Sequence, residues 1–123
     1  MVFSFLAAGL LISCAPQQKY IWGSYETELY GYYQDPERLE NLMEALETAI
    51  AEGEKSAKKT SSGDGAIPRR VAPGLYAEYG YLLMLNNEGA RAKSYFEKEK
   101  QSWPESTVLM DKMIKVIDQG QSS

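Results

Sequence analysis

The one cysteine of the chain, Cys14, follows an uncharged apolar run, VFSFLAAGLLI at residues 2–12, and is followed by polar Pro16-Gln17-Gln18. A thiol placed there is either a buried side chain or a point of covalent attachment. It can form no internal disulfide, and the chain holds no histidine to activate it or to share a zinc ion. The other candidates for chemistry are carboxylates. Glu37, Glu40, Glu44 and Glu47 recur along one side of a predicted helix, where a calcium site or a carboxylate pair is conceivable. Acids opposite an apolar stripe ordinarily form a solvated face, and they are read so here. Gly63-Asp64-Gly65 lacks both the further acids of a calcium loop and the Gly-Lys-Ser/Thr of a phosphate loop. No catalytic residue, metal ligand or cofactor is therefore expected, and the chain reads as non-enzymatic.

Attachment is the better account of Cys14. An apolar run of this length is too short to span a membrane, which takes about 20 residues, but suits the core of a secretory signal, typically about 7–15 residues. Its end, Leu11-Ile12-Ser13-Cys14, resembles the lipobox of bacterial lipoproteins. That resemblance implies a diacylglycerol thioether on Cys14, cleavage before it and acylation of the new amino group. Several acyl chains anchor stably where one does not, since each buried CH2 contributes about 0.8 kcal/mol. Ala15 stands where an aspartate would imply retention at the inner membrane. The resemblance thus implies a lipid-anchored protein of the outer membrane of a diderm bacterium, facing the periplasm. No Lys or Arg precedes Cys14, a departure from the usual basic leader.

The elements that follow must position whatever surface does the work. At 123 residues the chain has room for one small domain with a modest core, and its net charge of −4 argues against nucleic acid as a partner. Charge is uneven: residues 25–53 carry eight acids against Arg38 alone, and residues 54–70 are net basic. Tyr25, Leu29, Tyr32 and Tyr33 fall at i, i+4, i+7 and i+8, the spacing of one helix face. That tyrosine-rich segment reads as a face closing a small core, with a peptide or glycan platform as the other possibility. Asp35-Pro36-Glu37 is a helix start, and Leu39, Leu42, Met43, Leu46 and Ile50 form its apolar stripe, with Gly53 as the stop. Residues 54–72, rich in Ser, Lys and Gly, read as a flexible connector.

Residues 73–104, PGLYAEYGYLLMLNNEGARAKSYFEKEKQSWP, resemble one tetratricopeptide repeat. Tyr76 takes the large aromatic place, Gly80 the first small place and Leu83 the next bulky one. Asn87 stands at the turn, Ala92 at the second small place and Phe96 at the aromatic place of the second helix. Small residues let two helices approach closely while the large ones fill the seam. Glu99 replaces the usual alanine and Gly89 the usual turn tyrosine, departures expected to loosen packing against a following repeat. The first helix carries a second apolar stripe, Ala77, Tyr81, Met84 and Leu85, and the repeat resemblance turns that stripe toward a partner-binding groove. Residues 105–119 read as a last helix, with Leu109, Met110, Met113, Ile114 and Ile117 apolar.

From YIWGSYE through GLYAEYGYLLM to YFEKEKQSWPEST, the chain is similar to a family of small bacterial lipoproteins, domain of unknown function 4810. The resemblance implies partners among other envelope lipoproteins, including one similar to the curli secretion channel, and supplies no catalytic residue. The expected organisation is a lipoprotein signal peptide at 1–13, a lipidated tether at 14–19 and a helical domain at 20–123. The expected fold is all-α, with antiparallel helical hairpins stacked in a tetratricopeptide-like arrangement and a C-terminal capping helix. The expected function is a scaffold or adaptor for an envelope secretion or assembly complex, binding through Tyr81, Met84 and Leu85. The alternative is a periplasmic peptide- or glycan-binding module. Cys14→Ser should abolish palmitate labelling and remove the protein from the outer-membrane fraction. Equal labelling of native and substituted protein would refute the lipobox.

Overall fold

The computed structural model describes residues 19–60 and 69–121, so Cys14 lies outside the described residues. Most of what is described is helical. The order is a strand β1 (Tyr20–Ile21), helix α1 (Tyr25–Gln34), a 3-10 turn (Pro36–Arg38) and helix α2 (Leu39–Thr60). Strand β2 (Arg70–Val71), helices α3 (Leu75–Leu85) and α4 (Gly89–Ser102), a second 3-10 turn (Pro104–Ser106) and helix α5 (Thr107–Gln121) follow. The two short strands pair in parallel, Tyr20 beside Arg70 and Ile21 beside Val71.

Each strand leads into a helix through a four-residue turn closed by a backbone hydrogen bond, with the positive φ at Gly23 in the first and at Gly74 in the second. The Tyr25 amide donates to the Trp22 carbonyl at 3.0 Å, and the Leu75 amide to the Ala72 carbonyl at 3.3 Å. In the second turn Pro73 holds φ near its fixed value and Gly74 supplies φ 89°, the pairing a type II turn requires. Sequence reading missed both strands and their pairing. The Pro73-Gly74 dipeptide was the available signal for the turn, though not for the ladder.

The Asp35-Pro36-Glu37 start is present as read. The Asp35 side chain accepts from the Glu37 amide at 3.1 Å, and the first turn is 3-10 before α2 begins. Along α2, Leu42, Ala45, Leu46, Ala49 and Ile50 are buried, while Leu39 and Met43 pack at the core's edge. The helix does not stop at Gly53, and the connector does not begin at residue 54. Gly53 is buried mid-helix, where an added Cβ would lie 2.8 Å from the Val71 amide nitrogen. The glycine serves a close approach to β2, and the helix continues to Thr60.

The seam between α3 and α4 uses the residues singled out by spacing. Tyr76, Gly80, Leu83, Ala92 and Phe96 are all buried, and Asn87 in the turn between them has φ 61°. Polar contacts join the two segments, Glu99 accepting from the Gly74 amide and Arg91 donating to the Tyr79 hydroxyl. α5 packs on α4 with Met110 and Ile117 buried.

At Gly80 a Cβ would stand 2.8 Å from the Phe96 ring and 3.2 Å from the Ala92 carbonyl. Gly80→Leu should therefore cost about 1–3 kcal/mol or more in urea unfolding. Gly53→Ala should also destabilise, because the Val71 backbone, besides its Cγ2 methyl at 2.6 Å, blocks the new methyl. Gly120, with open space around it, should gain up to about 1 kcal/mol as Ala. Stabilisation by all three substitutions would contradict the packing described.

Candidate functional site

Helix α3 is apolar all round, and its burial is one-sided. Leu75, Tyr76, Tyr79, Gly80, Leu82 and Leu83 are buried. The opposite side is open: Tyr81 retains 45% and Leu85 55% of their exposure, four residues apart on one stripe. Met84 and Ala77 flank that stripe half-buried against the core. Of the three residues read as partner-binding, the structure thus leaves Tyr81 and Leu85 open and makes Met84 an edge. Glu78 marks one end of the stripe, where its carboxylate accepts from the Tyr25 hydroxyl of α1. Burial, reinforced by that carboxylate, pushes the Tyr25 phenol above its ordinary range, so it stays protonated and donating at neutral pH.

Much of the N-terminal aromatic segment packs half-buried against the core, Tyr20, Trp22, Tyr25, Leu29 and Tyr32 among it. Trp22 stacks on Tyr25, and Tyr20 stands edge-on to both Trp22 and Trp103. Tyr30 and Tyr33, by contrast, are 67% and 76% exposed, so the helical face read from Tyr25, Leu29, Tyr32 and Tyr33 does not include Tyr33.

A second concave feature sequence reading did not find. An open cleft of about 530 Å³ lies between the end of α2, β2 and the end of α4, lined by Glu54, Lys58, Arg70, Tyr76, Ser102 and Trp103 among others. Glu54 organises its wall. Its carboxylate accepts from Lys98 at 2.8 Å and from the Tyr76 hydroxyl at 3.0 Å. Burial would raise this carboxyl, but those two donors outweigh it and hold the pKa below the usual value. Lys98 also lies 5.0 Å from the centre of the Tyr95 ring. The glutamate, the lysine and the two tyrosines form one cross-element network. No group of His, Cys, Asp and Glu able to hold a metal ion occurs among the described residues, and none of their helices is long and apolar enough to cross a membrane.

Glu99, read as a departure from the repeat pattern, is turned toward the start of α3. It is 1% exposed, and one carboxylate oxygen accepts from the Gly74 amide at 2.8 Å, securing the turn that starts α3. Its other oxygen and the Trp103 indole nitrogen are buried and find no hydrogen-bond partner among the described residues. Burial raises the Glu99 pKa above the ordinary carboxylate value, against the donors from Gly74, Ala77 and Ser106.

The family model described as Domain of unknown function (DUF4810) matches residues 19–113, so the chain belongs to that family. No curated protein and no solved structure matches the chain.

The raised Glu99 pKa has a pH consequence. The folded state binds this proton more tightly than the unfolded chain, so the associated stability is complete below the ordinary carboxylate pKa. It is lost as pH rises through the raised value. Glu99→Gln has no such dependence. The melting temperature of Glu99→Gln relative to the native protein should therefore rise between about pH 4 and about pH 7.5. An unchanged difference across that range would show that Glu99 titrates normally.

Proposed function

We propose that this protein is a lipid-anchored, non-enzymatic scaffold or adaptor for an envelope protein complex, held at the inner leaflet of the outer membrane through acylated Cys14. In this reading the helices form antiparallel hairpins in a tetratricopeptide-like arrangement. α3 and α4 are the clear unit, α1 and α2 a degenerate one, and α5 the cap. The observation that carries the reading is the open Tyr81 and Leu85 stripe on a helix whose opposite side is buried in the core. An exposed apolar patch with a polar rim marks a contact surface, and an aromatic side chain is its strongest anchor. The partners are other envelope lipoproteins, a curli-secretion-channel-like protein among them, and not nucleic acid.

The alternative, a periplasmic peptide- or glycan-binding module, draws support from the cleft walled by Tyr76 and Trp103 and from exposed Tyr30 and Tyr33. Co-purification from detergent-solubilised membranes separates the two. A Tyr81→Ala/Met84→Ala variant should capture partner proteins about tenfold or more weakly, since truncating central aromatic anchors commonly costs 2 kcal/mol or more. Glu40→Ala/Glu44→Ala should capture them as the native protein does, and both variants should keep a native circular dichroism melt. Loss of partners in the acidic-stripe variant alone would move the binding surface to α2. A native monomer that captures no protein but binds muropeptides or glycans would favour the alternative.

A further inference from the structure

The two ends of the helical array carry surfaces of opposite character. α1 packs on α2, whereas α5 packs on α4. On the outward side of α1, Glu26, Tyr30 and Tyr33 fall at i, i+4 and i+7, and all three are exposed. They belong to the strongly acidic first half, whose single arginine, Arg38, is already paired with Glu28 at 2.7 Å. On α5 the allocation is reversed. Asp111 pairs with Lys100 at 2.6 Å and Asp118 with Lys93, so both acids of the helix turn toward α4. What faces outward is Leu109 and Val116, seven residues apart and more than half exposed, together with Lys112 and Lys115. Neither lysine takes an ion pair among the described residues.

We propose that the protein associates head to tail with a second copy of itself, the apolar and basic face of α5 seating on the aromatic and acidic stripe of α1. Charge complementarity selects both the occupant and the mode. Two α5 faces brought together would set lysines against lysines, and two α1 faces glutamate against glutamate. A two-fold contact through either is therefore disfavoured. The unlike pair joins apolar to aromatic surface at its centre and lysine to carboxylate at its rim, the ordinary anatomy of a protein contact. Because the two faces belong to different ends of one chain, each copy has a free face left after the first contact. The association therefore extends into a chain or closes into a ring. It uses neither Cys14 nor Tyr81, so it stands apart from the anchoring and docking surfaces proposed above.

Directed cross-linking tests it. In full-length protein carrying Cys14→Ser, in mild detergent, Tyr33→Cys and Leu109→Cys are made separately and oxidised alone or mixed. The mixture should give disulfide-linked dimers about tenfold above either variant alone, and added salt should reduce them. Lys112→Glu/Lys115→Glu in the Leu109→Cys chain should suppress the product, and Glu26→Lys in the partner chain should partly restore it. Self-linking of either variant as efficient as the mixture would mean a two-fold contact and overturn the proposal. No linking in the mixture would assign these faces to another partner and overturn it equally. Sedimentation of the native chain gives an independent reading: its mass should grow with concentration at low salt and stay constant for Lys112→Glu/Lys115→Glu. A native mass independent of concentration would also overturn the proposal.

Discussion

The close approach of α2 to β2 at Gly53 is the contact on which the rest of the fold hangs. A Cβ there would meet the Val71 backbone nitrogen at 2.8 Å, so only a residue without a side chain lets the helix lie against the strand. Through Val71 the contact reaches Ile21 across the ladder, and through Ala72 it reaches the turn that launches α3. The first half of the chain is thereby tied to the second by backbone proximity, where a side-chain contact would have left several registers open. The same device recurs at Gly80, which admits the Phe96 ring to the α3–α4 seam. Tight interiors are intolerant of an added methylene, and here two glycines set the spacing of three helices.

Polar groups refine what those approaches permit. Glu54 joins α2 to α3 through Tyr76 and to α4 through Lys98, and Glu99 joins the end of α4 to the start of α3. Such partly exposed ion pairs contribute little stability, typically about 0–1 kcal/mol each, so their value lies in fixing orientation. Glu99 is different in kind. It sits almost fully buried at the positive end of a helix, where its oxygen meets an amide that packing would otherwise leave unpaired.

The allocation of charges also decides which surfaces stay open. The acids of α5 are consumed by α4 and the one arginine of the first half by Glu28, so what remains outside is sorted by sign. Apolar exposure follows the same logic. α3 spends most of its circumference on the core and keeps Tyr81 and Leu85 outside, and α5 keeps Leu109 and Val116. The described chain is mostly helical, and it belongs to the matched family.

Local signals in the sequence were sufficient for much of this. The Asp35-Pro36 start and the apolar period of α2 are consequences of neighbours within a turn or two, whereas the Tyr76, Gly80, Leu83, Ala92 and Phe96 seam was legible through a repeat resemblance. Capping and helical periodicity are read at that range. Family membership was legible for the same reason, since the matching residues run continuously along the chain. The β1–β2 ladder was not legible, because it joins backbones 50 residues apart and backbone hydrogen bonds leave no side-chain pattern in strands of two residues. Gly53 looked like a helix stop because glycine is common there, and only the arrival of Val71 makes it a packing residue. Glu99 looked like a departure from the repeat pattern until the Gly74 amide, 25 residues away, was seen to meet it. Which side of α3 remained open likewise depended on where α2 and α4 came to rest. Residue type and spacing determined the helices and their apolar faces. Long-range packing decided which faces were covered, because burial belongs to pairs of surfaces and a single segment specifies only one of them.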